Sequence, residues 1–213
     1  MTRLLLVRHG QSESNIRGTF TGHMDAPLSE LGLAQAACTA RFILENYHVD
    51  AIYSSDLQRA YVTGLPVAEK LGLQIHTDKN LREIYGGDWE GRHFSTLSET
   101  HPAEYALWQQ DMGNSRCPGG ESVAELARRV WECVMEICEN NPGKTVLIAA
   151  HATPIRAIQW MTTGTPLSFM KQIPWASNAS VSEFAYENGK LTPVKLSQDG
   201  HLADMKTQLP ANI

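Results

Sequence analysis

Hydrophobic and polar residues alternate along this chain in blocks of strand length and helix length. Near-continuous apolar runs lie at residues 4–7, 51–54 and 145–150. Such runs are typical of strands that are covered on both faces in a parallel α/β sheet. The pattern therefore predicts three central strands of one mostly parallel sheet.

Segments with apolar residues at helical intervals separate these runs. The segments 29–47 and 57–71 each carry an apolar stripe with a period near 3.6 residues. Ser122 and Glu125 form the capping-box pattern that starts a third helix, which we expect to end near residue 140. Helices of this length between parallel strands predict helices on both faces of the sheet, in a three-layer α/β/α fold.

Two weaker patterns complete the predicted sheet. A short strand is expected near residues 74–77. The segments 180–185 and 191–196 alternate in polarity around Asn188 and Gly189, the pair of residues that most strongly favours a tight hairpin turn. We therefore expect an antiparallel hairpin near the end of the chain.

The 213 residues fit a single domain, 1–213, with two irregular segments. The segment from about residue 80 to residue 120 is rich in Gly, His and Trp. Because this segment is too long for a simple connection between two elements, we interpret it as an insertion that caps the active site. The residues after about 198 are expected to form a loose C-terminal tail.

Composition excludes several classes of function. The net charge of −5 and the isoelectric point near 5.9 argue against a nucleic-acid or anionic-membrane surface. No apolar stretch approaches the length of a membrane span, and the N-terminus lacks a secretory signal, so we expect a cytoplasmic protein. The four cysteines have no metal-binding or disulfide spacing, and we expect small buried thiols without a disulfide.

Charged and imidazole side chains follow the predicted strands directly. Arg8 and His9 come after the first strand, and His151 follows the strand at 145–150. Ligands of parallel α/β sheets bind beyond the carboxyl ends of the strands. Arg59 is expected in the first turn of a helix, where the backbone already favours anions. The pattern predicts a site for a compact anion with several oxygens, and phosphate is the obvious candidate.

These residue types suit phosphoryl transfer, which needs a nucleophile, cations for the phosphate oxygens and a proton for the leaving oxygen. His9 is the candidate nucleophile, because neutral imidazole forms covalent intermediates near neutral pH. Arg8 and Arg59 present planar donor forks, and His151, if protonated, would stabilise the developing charge. Asn15 is a candidate neutral donor to phosphate.

Glu83 is the candidate proton donor. It lies in a turn between Leu81 and Ile84, where partial burial beside phosphate would favour the protonated carboxyl group. The sequence contains neither an Asp-rich nor an H-E-x-x-H metal motif. We therefore expect neither a metal nor a cofactor, since the side chains themselves supply positive charge.

Four further residues are candidates for a substrate pocket outside the phosphate site: His23, Tyr85, Trp108 and Arg116. The remaining tryptophans are expected to pack in the core rather than to contact a ligand. Asn178 begins a glycosylation sequon, but nothing in the sequence indicates secretion.

Four blocks of the chain resemble the histidine phosphatase superfamily, and they occur in the family's order. They are LVRHGQSESN at 6–15, SSDLQRAYVT at 54–63, LREIYGGDWEG at 81–91 and GGES at 119–122. The resemblance runs from residue 2 to about residue 181. One departure is visible, because the family usually has His-Gly where this chain has His151-Ala152.

The resemblance implies a phosphoglycerate mutase-like fold and a role for each block. It implies that His9 is phosphorylated, that Arg8, Arg59 and His151 form the phosphate pocket, and that Glu83 donates the proton. Within the family, it points to a phosphatase of the broad-specificity, metabolite-hydrolysing branch. The effect of the Ala152 departure is left open.

We therefore expect a metal-independent phosphoric monoester hydrolase of histidine acid phosphatase type that acts on a small phosphorylated metabolite. A cofactor-dependent phosphoglycerate mutase and a catalytically silent phosphate-binding module on the same fold are the alternatives. Between the block at 81–91 and the helix that begins near Ser122, the chain offers only Arg92 and Arg116 as cations, which favours hydrolysis over mutase activity. The sequence leaves open the physiological substrate, any accompanying mutase activity, and the oligomeric state, with a homodimer as one alternative.

Overall fold

The computed structural model describes residues 1–207, and a single six-stranded sheet organises them. The strands are β1 (Thr2–Arg8), β2 (Ala51–Ser54), β3 (Ile75–Thr77), β4 (Thr145–Ala150), β5 (Val181–Glu187) and β6 (Lys190–Gln198). Their order across the sheet is β3-β2-β4-β1-β5-β6. The strands β3, β2, β4 and β1 are parallel to one another. The strand β5 is antiparallel to β1, and β6 is antiparallel to β5, with which it forms a hairpin. The predicted mostly parallel sheet is confirmed.

The α-helices lie between the strands and beyond the sheet edge. They are α1 (Glu13–Arg17), α2 (Glu30–Asn46), α3 (Gln58–Leu71), α4 (Phe94–Thr100), α5 (Pro102–Gln110), α6 (Val123–Glu139) and α7 (Ala152–Met161). Short 3-10 helices cover Lys79–Leu81, Gly87–Trp89, Met112–Asn114, Leu167–Gln172 and Gly200–Met205.

Alternate residues of β1 enter two separate hydrophobic cores. Leu5 packs with residues of α2 and α3, such as Ile43 and Val67, whereas Leu4 packs with residues of α6 and α7, such as Val130 and Ile155. Successive side chains of a strand point to opposite faces. The two cores therefore lie on opposite faces of the sheet, which confirms the predicted three-layer α/β/α fold.

Local signals in the sequence account for several boundaries. The Ser29 side chain accepts a hydrogen bond from the Gly32 backbone N–H at the start of α2, and Ser122 and Glu125 form a complete capping box at the start of α6. Asn188 and Gly189 have φ values of 52° and 75°. Positive φ at both positions is what a tight hairpin turn requires.

The segment 80–120 contains α4, α5, two short 3-10 helices and the end of a third. Its apolar residues belong to the core on the α6 side of the sheet, through Leu97, Tyr105, Trp108 and Met112. The insertion therefore packs into the hydrophobic core on this face of the sheet.

The prediction of a loose tail after about residue 198 is wrong as far as residue 207. Gly200–Met205 forms a 3-10 helix, and its Leu202 is fully buried. The His201 ring stacks on Phe42 of α2 with a centroid distance of 4.5 Å. The polar sequence of this segment hid these contacts, which form with residues more than 150 positions away. The rest of the predicted tail, residues 208–213, lies outside the described residues.

Residues 1–207 contain neither a membrane-spanning helix nor a ready-made cluster of metal ligands. No helix there is long and apolar enough to cross a membrane. The same part of the chain contains no group of three or more His, Cys, Asp or Glu side chains arranged to hold a metal ion.

Candidate active site

A cleft of about 120 Å³ lies beyond the carboxyl ends of β1 and β4. Phosphate-binding candidates form one part of its lining, and aromatic side chains form another. The lining residues are Arg8, His9, Gln11, Asn15, Gly18, Thr19, Phe20, Thr21, Gly22, Arg59, Glu83, Ile84, Phe94, Trp108, Ala152, Thr153, Trp175, Asn178 and Thr207.

His9 is held at the end of β1 by its backbone and by its ring. Its backbone N–H donates to the Ala150 carbonyl at 3.0 Å, and its Nδ1 lies 2.7 Å from the Gly10 carbonyl oxygen. A carbonyl oxygen accepts only, so Nδ1 carries the proton and Nε2 keeps its lone pair. This tautomer leaves Nε2 as the nucleophilic atom.

Close backbone packing fixes the loop that follows His9. A Cβ atom at Gly10 would stand 2.5 Å from the Gly32 carbonyl oxygen. Any larger residue at Gly10 would therefore push the loop away from the first turn of α2. The Gly10 backbone N–H also donates to the Thr63 hydroxyl of α3 at 3.0 Å. The nucleophile is thus tied to two helices as well as to the sheet.

Backbone carbonyls orient the two arginines. Arg8 donates from Nη1 to the Ala176 carbonyl at 2.5 Å, and its buried Nε has no hydrogen-bond partner. Arg59 donates from Nη1 and Nη2 to the carbonyls of Met24 and Gly22, both at 2.8 Å. These bonds fix each guanidinium and leave donor groups for a ligand in the cleft.

His151 lies at the start of α7 and is fully buried, and both of its ring nitrogens lack a hydrogen-bond partner. Its ring centroid stands 5.3 Å from that of His9. Buried polar atoms in folded proteins are nearly always paired, and unpaired ones need an explanation. An anion bound between the two imidazoles would supply the missing acceptor.

Burial and the neighbouring arginines favour the neutral form of His9 and His151. Burial lowers the pKa of His9 well below its ordinary value, and the charges of Arg59 and Arg8 lower it further. Burial, the arginines and His9 likewise lower the pKa of His151. Burial also lowers the pKa of Arg8 and Arg59, each to about 10, so both stay charged at neutral pH. His9 is therefore ready as a nucleophile, and protonated His151 requires a bound anion.

Glu83 reaches the cleft with both carboxyl oxygens engaged. Its Oε1 accepts a hydrogen bond from its neighbour Ile84 at 2.8 Å, and its Oε2 accepts one from the Thr153 backbone N–H at 3.3 Å. Thr153 lies in the first turn of α7, next to His151. The candidate acid and the phosphate pocket therefore share one helix N-terminus.

Arg129 of α6 holds the backbone around Glu83. Its guanidinium donates to the carbonyls of Asn80, Arg82 and Glu83 at 2.8 to 2.9 Å. It also forms a two-point ion pair with the Glu121 carboxylate at 2.6 and 2.8 Å. Arg129 gives no signal in the sequence, because its partners are backbone atoms that no sequence pattern reveals.

The structure separates the four predicted pocket residues. Trp108 lines the cleft, whereas the His23 ring lies beside it, with Nε2 2.9 Å from the Glu83 carbonyl oxygen. Tyr85 is 44% exposed and packs against the His23 ring. Arg116 pairs with Glu125 at the surface. Arg116 and Tyr85 therefore have other partners than a ligand in this cleft.

Asn178 was missed as a site residue. It is buried, and its side-chain amide donates to the His9 carbonyl at 3.0 Å and to the Asn15 side-chain oxygen at 3.3 Å. Its own oxygen accepts from the Thr207 hydroxyl. Burial within this network excludes Asn178 as a glycosylation site in the folded protein. The sequon pattern picked out Asn178 as a glycosylation site, whereas in the structure this residue belongs to the hydrogen-bond network of the cleft.

Three aromatic residues of the lining were also missed: Phe20, Phe94 and Trp175. Phe20 and Phe94 come from a loop and from the insertion, and Trp175 had been expected to pack in the core. The Asn15 side chain, which was predicted, lines the cleft beside Asn178. Aromatic residues in a loop or at the start of a short helix give no periodic signal, so only the fold could place them.

Comparison with known proteins agrees with this geometry. The sequence profile of the histidine phosphatase superfamily, branch 1, matches residues 4–199. The putative phosphoserine phosphatase 2 of Hydrogenobacter thermophilus is 37% identical over 94% of this chain and 98% of its own length. The glucosyl-3-phosphoglycerate phosphatase of Mycobacterium tuberculosis is 31% identical over 86% of this chain and 85% of its own length.

A solved structure extends the match to three dimensions. The YhfR protein of Bacillus stearothermophilus superposes with a TM-score of 0.90 at 28% identity, covering 95% of this chain and 100% of that one. The profile match, the relatives and the fold agree over nearly the whole described chain. The chain belongs to the histidine phosphatase superfamily.

Proposed function

We propose that this chain is a phosphomonoesterase that hydrolyses a small phosphorylated metabolite through a phosphohistidine on His9, without a metal ion or a cofactor. One observation carries the proposal. The neutral, orientated His9 ring lies 5.3 Å from the His151 ring, whose nitrogens are unpaired, and the charges of the buried Arg8 and Arg59 act on it. This arrangement supplies a nucleophile and cations around one position of phosphate size.

In the first step, the His9 Nε2 lone pair attacks phosphorus in line with the leaving oxygen. The phosphorus–oxygen bond breaks, and the leaving oxygen takes the proton of the Glu83 carboxyl group. Arg8 and Arg59 neutralise the equatorial oxygens. His151, protonated once the anion is bound, donates to the same oxygens.

In the second step, water attacks the phosphoryl group on His9. The Glu83 carboxylate takes a proton from this water, and the phosphorus–nitrogen bond breaks with return of the electron pair to Nε2. Inorganic phosphate leaves, and the proton on Glu83 restores the starting state. One residue thus serves as acid and then as base, as microscopic reversibility allows.

The relatives support the reaction class. Those named above are called phosphatases of small phosphorylated compounds. A mycobacterial glucosyl-3-phosphoglycerate phosphatase, which superposes with a TM-score of 0.85 at 29% identity over 92% of this chain and 99% of its own, was solved in complex with VO3. Vanadium oxides imitate phosphoryl groups, and we expect vanadate to inhibit this chain by occupying the same place.

A mutase function is the second candidate within the family, and two contacts weigh against it. A mutase must hold the first product by extra cations while the phosphoryl group returns to it. Of the cations between residues 92 and 120, Arg92 donates from Nε to the Asp88 carbonyl at an exposed position, and Arg116 pairs with Glu125. Both side chains are engaged outside the cleft lining. Hydrolysis is the better-supported outcome for the phosphohistidine.

The test measures phosphate release and isomerisation in one experiment. We expect the purified protein to release phosphate from several monoesters faster than it interconverts 2- and 3-phosphoglycerate, with no need for 2,3-bisphosphoglycerate. EDTA should leave the rate unchanged, and vanadate should inhibit. Faster isomerisation stimulated by the bisphosphate would establish the mutase instead. Absence of turnover and of phosphohistidine with every substrate would support the silent binding module.

A further inference from the structure

The cleft outside the phosphate pocket has an aromatic lining, formed by Phe20, Phe94, Trp108 and Trp175 and called here the aromatic wall. We propose that the substrate's leaving group is an uncharged alcohol with a flat apolar body that packs against this wall. The inference rests on the proposed phosphatase function and names its substrate class.

Three members of the wall are fixed in place before any ligand binds. Phe20 contacts Phe94 and Trp108, with ring centroids 5.7 and 5.8 Å apart. Trp89 is fully buried behind them and packs edge-on against Phe20 and Trp108 at 5.4 and 5.6 Å. A preformed aromatic surface binds a flat ligand without the entropy cost of ordering it.

Trp175 is fixed separately by a buried cation. The Arg156 guanidinium lies 4.2 Å from the centre of the Trp175 ring. Arg156 is itself held by the Lys171 carbonyl at 2.7 Å and by the Met112 sulfur at 3.3 Å. A desolvated cation on an indole face gives one of the stronger cation–π contacts. Trp175 thus forms a rigid part of the cleft.

The charges around the cleft favour an uncharged leaving group. Within residues 1–207, the arginines among the lining residues are Arg8 and Arg59, and the proposed chemistry assigns both to the phosphate. Residues 208–213 contain no Lys or Arg. Glu83, on the leaving-group side, supplies no positive charge in either protonation state. A second anionic group, such as a carboxylate, would therefore lose its hydration without gaining a cation.

The test compares alkyl phosphates, because their leaving groups differ little in acidity and shape then decides the rate. The substrates are 2-phenylethyl phosphate, n-butyl phosphate, phosphoserine and 3-phosphoglycerate. We expect kcat/KM for the phenylethyl ester to exceed that for each of the others by about tenfold or more, the scale of one well-filled apolar pocket. A higher kcat/KM for either carboxylate-bearing substrate would overturn the inference.

Matched variants assign the preference to the wall. Phe94→Leu and Trp175→Leu should each lower kcat/KM for 2-phenylethyl phosphate by roughly three- to tenfold, chiefly through KM, and change n-butyl phosphate less than about twofold. The controls are Phe169→Leu, at an exposed position, and Trp160→Leu, whose indole donates to the Pro166 carbonyl. Neither control should alter the ratio. Parallel losses on both substrates would contradict the role of the wall.

Binding of unreactive analogues separates this inference from the proposed function. Calorimetry should show tighter binding of 2-phenylethylphosphonate than of 2-carboxyethylphosphonate, a phosphonate with a carboxylate in place of the ring. Equal or reversed affinities in a protein that still hydrolyses monoesters would overturn the substrate class alone. Tight binding of the phenyl compound without any hydrolysis would overturn the proposed function and keep the wall as a binding surface.

Discussion

The phosphate pocket and the aromatic wall face the same cleft but are built in different ways. The pocket stands on strand ends and helix starts, with His9 bonded to the sheet backbone and His151 at the N-terminus of α7. The wall comes from a loop, the insertion and a segment before β5, and its rings are held by one another and by Arg156. Under the proposed function, the reaction chemistry would therefore depend on the sheet, whereas selectivity would depend on the loop, the insertion and the segment before β5.

Loss of a pocket cation should give the largest effect and should strike every substrate alike. Arg59→Met keeps the length of the side chain but removes the donors to the phosphate oxygens, and we expect kcat/KM to fall about 10²- to 10³-fold. Arg41→Met, at an exposed site on α2, is the control. A loss that depended strongly on the leaving group would show that Arg59 serves the wall side of the cleft.

Removal of the proton donor should give a loss that depends on the leaving group. Glu83→Gln should lower kcat about 10²-fold or more for alkyl phosphates, whose leaving oxygen needs a proton, and less for p-nitrophenyl phosphate. Rates on both substrates, with initial phosphate release as the readout, check this. Equal losses would move the acid to another residue.

Loosening of the Glu83 backbone should lower kcat less than Glu83→Gln does, and the loss should again depend on the leaving group. Arg129→Met removes the donors to the Asn80, Arg82 and Glu83 carbonyls, so the carboxyl group loses its fixed place. We expect roughly a tenfold loss of kcat on alkyl phosphates and a smaller loss on aryl phosphates. Arg128→Met, at the exposed neighbouring position, is the control. A loss confined to thermal stability would make Arg129 merely structural.

Burial of neutral histidines should make stability depend on pH. The folded-state pKa of His9 and of His151 lies below the ordinary value of 6.5. As the pH falls below 6.5, the unfolded chain takes up protons that the folded chain does not, so the free energy of unfolding decreases.

Between pH 7.5 and pH 5.5, we expect these two residues to lower the free energy of unfolding by about 1 to 3 kcal/mol, as measured by urea unfolding. His151→Gln should reduce the dependence. An unchanged slope in His151→Gln would show that other groups cause it.

Sequence patterns could predict which residues come together at the cleft, because these residues lie next to regular elements. Arg8, His9 and His151 follow apolar strand runs, and Arg59 lies in the first turn of a helix that the apolar stripe revealed. Parallel strands bring their carboxyl ends to one edge, so short sequence segments were enough to place distant residues together.

The same reasoning could not place residues whose partners are distant in the sequence and lie outside regular helices and strands. Asn178 reaches His9 across 169 positions, and Arg129 binds carbonyls 46 to 49 residues away. The segment before residue 207 looked like a loose tail, yet Thr207 bonds to Asn178. Contacts of this kind arise from the tertiary fold and leave no periodic trace in the sequence.

The central claim is that the phosphoryl group is transferred to His9 before water removes it. Rapid quenching of the reaction in alkali, which preserves phosphohistidine, tests this claim most directly. Protein mixed with a ³²P-labelled monoester and quenched in alkali should retain a base-stable, acid-labile label on the peptide that contains His9. His9→Ala should lack both the label and turnover while keeping its fold by circular dichroism. Label on another residue, or substantial turnover by His9→Ala, would contradict the account.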